Sequence, residues 1–433
     1  MGRGGGYPLP AMTRSRLPAV FVAFFLAGLA CLAGCKTAKS GKGRPDYGRP
    51  LPDGAPALLL LGPGEPRPDW SADFENRAEI LTALEHSLFY LRRPIAKKYY
   101  PQAGIEHETA WLSLERFREL LQESTLGLSF ARAVDREFDV YKSAGWDGAG
   151  GGLLFTGYCT PILKGALEPS AQFAHPLYAL PHDLEKSPDG EIIRWKTVSG
   201  QTLPYPNRRV LEASSLLKDK DLELAWLADP LDAYIAHVNG SAFIELPDGS
   251  LHRLGYAGKN GRQYVSLGRE LIEAGEIPRE EMSLPAIRAW GRRSDPAKVK
   301  EFLDKQDSYV FFQPIDGNPH GCLDVEVTAG RSLATDKTLF PRAALCFADT
   351  QIGGGTKFRQ FMFDQDRGGA IRTAGRADIY LGIGPEAEAE AGRTQGEGQL
   401  YYLFLKPERV AELRGSGKYA LPEKDPKWDK SPR

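Results

Sequence analysis

The chain has 433 residues, roughly three typical domains' worth, so at least two packed units are expected. A hydrophobic fraction of 42% with 26% charged residues excludes collagen-like, coiled-coil and wholly disordered chains. Lys+Arg at 55 against Asp+Glu at 56 leaves a formal net charge of −1, which excludes a chain-wide basic field, and no nucleic-acid partner is expected.

Arg3, Arg14 and Arg16 precede the apolar run Leu17–Gly34, the pattern of a secretory signal. The run closes in Leu32-Ala33-Gly34-Cys35, a bacterial lipobox pattern, which predicts residues 1–35 as a signal peptide with lipidation at Cys35. An uncleaved anchor is the alternative, since the run lies at the short end of a spanning helix. Lys36 follows in place of Asp, which by analogy with bacterial sorting points to the outer membrane, with the folded part facing the periplasm.

Residues 36–69, rich in Lys, Gly and Pro, read as a flexible tether. Phe74, Ala78, Leu81, Leu84, Leu88 and Leu91 then recur at helical spacing until Pro94. Ser113 is an expected N-cap for a second helix with Phe117, Leu120 and Leu121 inward, and a third is expected over Gly127–Tyr141. After Gly145, short apolar runs such as Gly152–Thr156 and Tyr309–Gln313 between Gly/Pro/Asp turns predict strands. Pro188-Asp189-Gly190 and Pro247-Asp248-Gly249 read as hairpin turns, and one helical stretch, Leu267–Trp290, is divided by Pro278. Residues 411–433 read as a disordered tail. Cys159, Cys322 and Cys346 remain in the body; a Cys322–Cys346 bridge and buried thiols are both open.

Three segments could carry chemistry. In Phe363–Gly384, Asp366 precedes Gly368-Gly369, which permits close backbone approach to a ligand, and Asp378 sits in an apolar strand where desolvation favours a neutral general acid. Spacing alone favours a turn-capping Asp366 and a satisfied Asp378 at a strand end. Phe155–Pro161 offers Tyr158 and the hydroxyls of Thr156 and Thr160 on an extended segment suited to a sugar, or is an ordinary strand end. Gly255–Gly261, with Lys259 and Asn260, lacks Walker spacing and is no nucleotide loop. The seven His show no His-x-x-x-His spacing and there is no Cys-x-x-Cys, so neither a metal site nor a cofactor is expected.

Together, FTGYCTP (155–161), LAWLADPLDAYIAHVNGSAFIELPDGS (224–250), GYAGKNGRQYVSLGRELIEAGEIPREEMSLPAIRAW (255–290), SYVFFQP (308–314), GRSLATDKTLFP (330–341) and DRGGAIRTAGRADIYLGIG (366–384) resemble the membrane-bound lytic murein transglycosylases of the MltA type. Cys159, where a second Tyr is usual, and Asn239-Gly240-Ser241-Ala242, in place of Gln-Gly-Ser-Gly, depart from the family pattern. The resemblance implies a mainly β chain: a double-psi β-barrel with N-terminal helices (70–163 and 308–410), an inserted mostly-β domain (164–307), and a glycan groove between them.

It also implies a peptidoglycan exotransglycosylase that cleaves the N-acetylmuramic acid–β-1,4–N-acetylglucosamine bond without water and leaves 1,6-anhydro ends. Asp378 matches the catalytic acid and Asp336, Asp366 and Asp378 the three-Asp module, with Asp336 structural. Asp366, Thr160, Tyr158, Lys259, Asn260, Gly368 and Gly369 are the expected substrate contacts. The implied partners are glycan strands, the membrane through Cys35, and cell-wall synthesis or degradation complexes. A non-catalytic, expansin-like wall-binding protein and a murein hydrolase on the same scaffold are the alternatives.

Overall fold

The computed structural model describes residues 45–186, 193–196, 200–218 and 220–421. The lipobox with Cys35, the turn Pro188-Asp189-Gly190 and the last twelve residues fall outside them.

Six strands close into a barrel in the order Gln395–Leu405, Leu345–Ile352, Thr356–Asp366, Ser332–Ala334, Arg376–Ile383 and Leu153–Thr160, the last pairing back onto the first. Closure needs Gln395–Leu405 to serve two neighbours: Gln395–Gly398 pair with Leu153–Thr156, and Gln399–Tyr402 with Cys346–Asp349. Gly396 and Gly398 permit this, because a Cβ on either would fall 2.1 Å or 2.3 Å from the carbonyl oxygen of Gln351 or Asp349. Two pairs are parallel, Arg376–Ile383 with Leu153–Thr160 and Ser332–Ala334 with Thr356–Asp366.

The helices Arg77–Arg92, His107–Glu123 and Gly127–Glu137 cover the barrel. Phe117 meets Phe361 with ring centroids 4.8 Å apart, and Trp70 meets Phe347 edge-on at 5.1 Å. Buried Arg331 donates to Asp73 at 3.1 Å and to the Phe361 carbonyl at 3.1 Å, so the charge taken out of water is both paired and hydrogen-bonded.

Several boundaries differ from expectation. The second helix begins at His107, and Ser113 lies inside it with its hydroxyl turned back to the Thr109 carbonyl at 2.6 Å. The third helix stops at Glu137, and Phe138–Ser143 is a strand pairing with both Leu58–Leu60 and the closing barrel strand. The supposed tether is therefore built into the fold from residue 45: Thr373 donates its hydroxyl to the Tyr47 carbonyl at 2.5 Å. The supposed tail contributes the helix Pro407–Ser416, whose Val410 and Leu413 are buried.

A second sheet has the order Val310–Pro314, Leu251–Lys259, Ala242–Glu245, Ile162–Ala166, Glu223–Leu227 and His175–Tyr178. Pro247-Asp248-Gly249 turns its Ala242–Glu245/Leu251–Lys259 hairpin, with Gly249 at φ 81° and Asp248 accepting from the Ser250 amide at 2.9 Å. Because Ile162–Ala166 and Val310–Pro314 lie in this sheet, the second body takes more chain at both ends than 164–307.

That body is also less purely β than expected, since Pro230–Asn239, Leu267–Glu273, Leu284–Arg293 and Pro296–Asp304 are helical. Asp229 caps the first of these at the Leu231 amide (2.8 Å) ahead of Pro230, and Asp295 caps the last at Ala297 ahead of Pro296. The architecture is mixed α and β. Among the described residues no helix is long and apolar enough to cross a membrane.

Candidate active site

A cavity of about 1010 Å³ lies between the two bodies, with Thr156–Thr160, Asp366–Arg372, Asp378 and Tyr380 on the barrel side and residues from Pro230–Asn239 through Met282 on the other. Asp378 is placed by backbone pairing on two sides. It lies opposite Ala334 in the antiparallel ladder and opposite Thr156 in the parallel one. Thr156 donates its hydroxyl to one carboxyl oxygen of Asp378 at 2.9 Å. Burial pushes the Asp378 pKa up to about 6; the Thr156 hydrogen bond and the Arg376 charge oppose that rise and the Asp366 charge adds to it. Asp378 is thus a carboxyl that holds a proton close to neutrality.

Asp366 is surrounded by donors. Tyr158 Oη donates to one oxygen at 2.7 Å, and the Cys322 and Arg367 amides donate to the other at 2.9 Å and 2.8 Å. Burial raises its pKa, while these three donors and Lys337 work in the opposite direction. Its lone pairs are committed to holding the strand Leu153–Thr160 and two loops together.

The other expected site residues are brought to the cavity unequally. Tyr158, Thr160, Lys259, Gly368 and Gly369 line it. Thr160 is 1% exposed, and its hydroxyl lies 3.1 Å from Tyr380 Oη and 3.2 Å from Ser241 Oγ, so it bridges barrel and second body within the wall. Gly369 lies against the second body, where a Cβ would come 3.3 Å from Tyr264 Cβ, while a Cβ on Gly368 would come 2.7 Å from Ile371 Cγ1 in its own loop, so Gly369 serves the loop-to-loop approach and Gly368 the tight turn.

Asn260 departs from expectation. It is 1% exposed and donates to the Pro206 and Asp307 carbonyls at 2.9 Å and 2.8 Å while accepting from the Tyr309 amide at 2.9 Å. Its amide braces a loop and is not offered to a substrate. Asp336 stands away from the cavity and caps its own turn, accepting from the Thr338 amide at 3.0 Å. Cys159, Cys322 and Cys346 are all free thiols, and burial pushes Cys159 up to about 12.

Two neighbours of Asp378 escaped the sequence reasoning. Arg376, two residues earlier on the same strand face, donates to Thr156 Oγ1 at 3.4 Å, a placement that period-2 alternation could have flagged. Tyr264 comes from the second body and feels the Asp378 charge, which pushes its pKa further up after burial. Among the described residues no cluster of His, Cys, Asp and Glu is arranged to hold a metal ion.

Residues 154–313 match the family model described as MltA specific insert domain, and residues 331–404 the 3D domain. The chain is 33% identical over 277 residues to membrane-bound lytic murein transglycosylase A of Escherichia coli K12, covering 62% of this chain and 70% of that one. The chain belongs to the MltA family. A crystal structure of a membrane-bound lytic murein transglycosylase from Agrobacterium tumefaciens superposes with a TM-score of 0.68 at 25% identity, covering 83% of this chain and 99% of that one. Escherichia coli MltA with bound chitohexaose gives 0.61 at 25% identity, over 84% and 96%. The MltA-type insert match runs from the barrel strand Leu153–Thr160 through the second sheet and its helices, and the 3D match spans the other five barrel strands.

Proposed function

We propose that this MltA-family chain is a lytic transglycosylase that cleaves the N-acetylmuramic acid–β-1,4–N-acetylglucosamine bond of peptidoglycan without water. The cavity between the bodies takes the glycan strand, and a relative with bound chitohexaose supports that use of the cleft. Protonated Asp378 donates to the glycosidic oxygen as the anomeric carbon–oxygen bond breaks. The C6 hydroxyl of the same muramyl residue then bonds to the anomeric carbon, and its proton passes to the Asp378 carboxylate. Atoms balance with no water consumed, and the ring-closing nucleophile is already in place. Such intramolecular proximity can supply up to about 7–11 kcal/mol.

The observation that carries this reading is the contrast between the two acids. A hydrolytic glycosidase needs a second carboxylate to activate water or attack the sugar. Asp366 is engaged on both oxygens by Tyr158 and two backbone amides, whereas Asp378 receives one hydroxyl, and burial lifts its pKa to about 6. One available acid suits internal ring closure. A desolvated acid on a cleft wall also argues against a purely wall-binding role, where its burial would serve nothing.

The two parallel pairs inside an otherwise antiparallel barrel support the double-psi assignment. The domain division becomes a barrel body of about 45–161 and 315–416 around an insert of about 162–314. The same proposal includes exolytic action from strand ends, Tyr158 and Lys259 as wall contacts, and attachment through Cys35 to the periplasmic face of the outer membrane. The test is Asp378→Asn, which should bind murein as the parent does and release no anhydromuropeptides. Full release by that variant would overturn the assignment.

A further inference from the structure

The cleft wall carries cations that the chemistry above does not use. Of the carboxylates lining it, Asp366 is engaged by Tyr158 and backbone amides, Glu388 is paired with Arg288 at 3.2 Å, and Asp324 is paired with Arg93 at 3.4 Å. Arg262 and Arg372 also line the cleft, and neither is paired with a carboxylate among the described residues.

Each of these two guanidiniums is held at one edge. Arg262 Nε donates to the carbonyl of buried Tyr205 at 2.8 Å, and Arg372 Nε donates to the Gly369 carbonyl at 3.2 Å. The terminal nitrogens of both remain for a ligand. The loops bearing them meet, because Gly369 packs on Tyr264, two residues beyond Arg262. Asn260 in turn locks the Arg262 loop by accepting from the Arg262 amide at 3.3 Å while bonding to Pro206, Asp307 and Tyr309. The result is two guanidiniums, one from each body, each anchored through Nε on loops that meet at the cleft.

We infer that Arg262 and Arg372 form a carboxylate-binding subsite for the peptide stems carried by the muramyl residues of the strand. This inference rests on the proposed function. The sugar backbone of a stem-bearing strand is neutral, since each muramyl lactyl carboxyl is tied up in the amide to its stem, so an anion entering the cleft with it comes from a stem. A guanidinium fixed through Nε loses little further freedom on binding and presents paired donors to a planar carboxylate.

The experiment compares the full-length chain with Arg262→Gln and Arg372→Gln on two substrates: purified murein strands bearing stems, and the same strands with their stem carboxylates converted to neutral amides. A lost charge-assisted hydrogen bond predicts about a tenfold higher KM on stem-bearing strands, with kcat held and the rate on amidated strands unchanged within about twofold. Arg372→Lys, which keeps the charge, should recover part of the loss. Equal slowing on both substrates, or no change on either, overturns the subsite. Co-sedimentation with intact and carboxylate-amidated murein keeps the two proposals separable. If the parent made no anhydro ends but still bound intact murein about tenfold better, and the variants lost that margin, the transglycosylase reading would fall and the subsite would stand.

Discussion

Two carboxyl groups twelve residues apart in sequence, on barrel strands separated by Ser332–Ala334, share a burial that raises both pKa values but differ in the donors that reach them. Asp366 ends Thr356–Asp366, where the chain turns and two backbone amides and a phenol converge on it. Asp378 sits inside Arg376–Ile383, where both flanking strands have spent their amides on the ladder and only the Thr156 hydroxyl reaches it. A strand end gathers donors and makes an acid structural. A strand interior facing a cleft withholds them and makes it reactive.

The largest test of this contrast is catalytic. Asp378→Asn should lower anhydromuropeptide release by about 10²–10⁴-fold, the usual worth of a positioned acid–base group, in a mass-spectrometric digest assay. The same substitution should act oppositely on stability. The folded-state pKa of Asp378 is raised from 3.8 to about 6, so its proton-linked stability is fully present below pH 4 and is lost as pH rises through 6. Replacing it with neutral Asn should therefore raise stability at pH 8 by up to about 3 kcal/mol relative to the parent. At pH 4 that gain should vanish, as read by denaturant unfolding at the two pH values.

Asp366→Ala should leave the Tyr158 hydroxyl and the Cys322 and Arg367 amides without their acceptor. The expected cost is about 1–3 kcal/mol at neutral pH, seen as a lower unfolding midpoint. Smallest is Arg376→Gln. Removing that charge takes away a term holding the Asp378 pKa down, so the alkaline limb of the rate profile should move upward, by about one unit or less. A limb that moved downward would contradict the assignment of Arg376.

Much of this was legible in the residues. The apolar setting of Asp378, the hydroxyl-bearing 155–161 segment and the Pro247-Asp248-Gly249 turn all report local physics, and local physics is what a sequence states directly. Helix starts were less so: Ser113 looks like a cap, yet His107–Glu123 begins six residues earlier with no side-chain cap at Glu106. Asn260 was misread because loop composition says nothing about which carbonyls surround an amide. Pairings such as Arg331 with Asp73, 258 positions apart, are set by barrel closure and leave no mark at either position alone. Pro230 after Asp229 and Pro296 after Asp295 were readable helix starts that went unused.

The most direct measurement is a murein digest run in heavy-oxygen water with the muramyl ends analysed by mass. Internal ring closure predicts ends lighter than the reducing sugar by one water and carrying no heavy oxygen. Reducing ends labelled at the anomeric position would mean that water is the nucleophile, and a lone proton shuttle at Asp378 could not then be the mechanism.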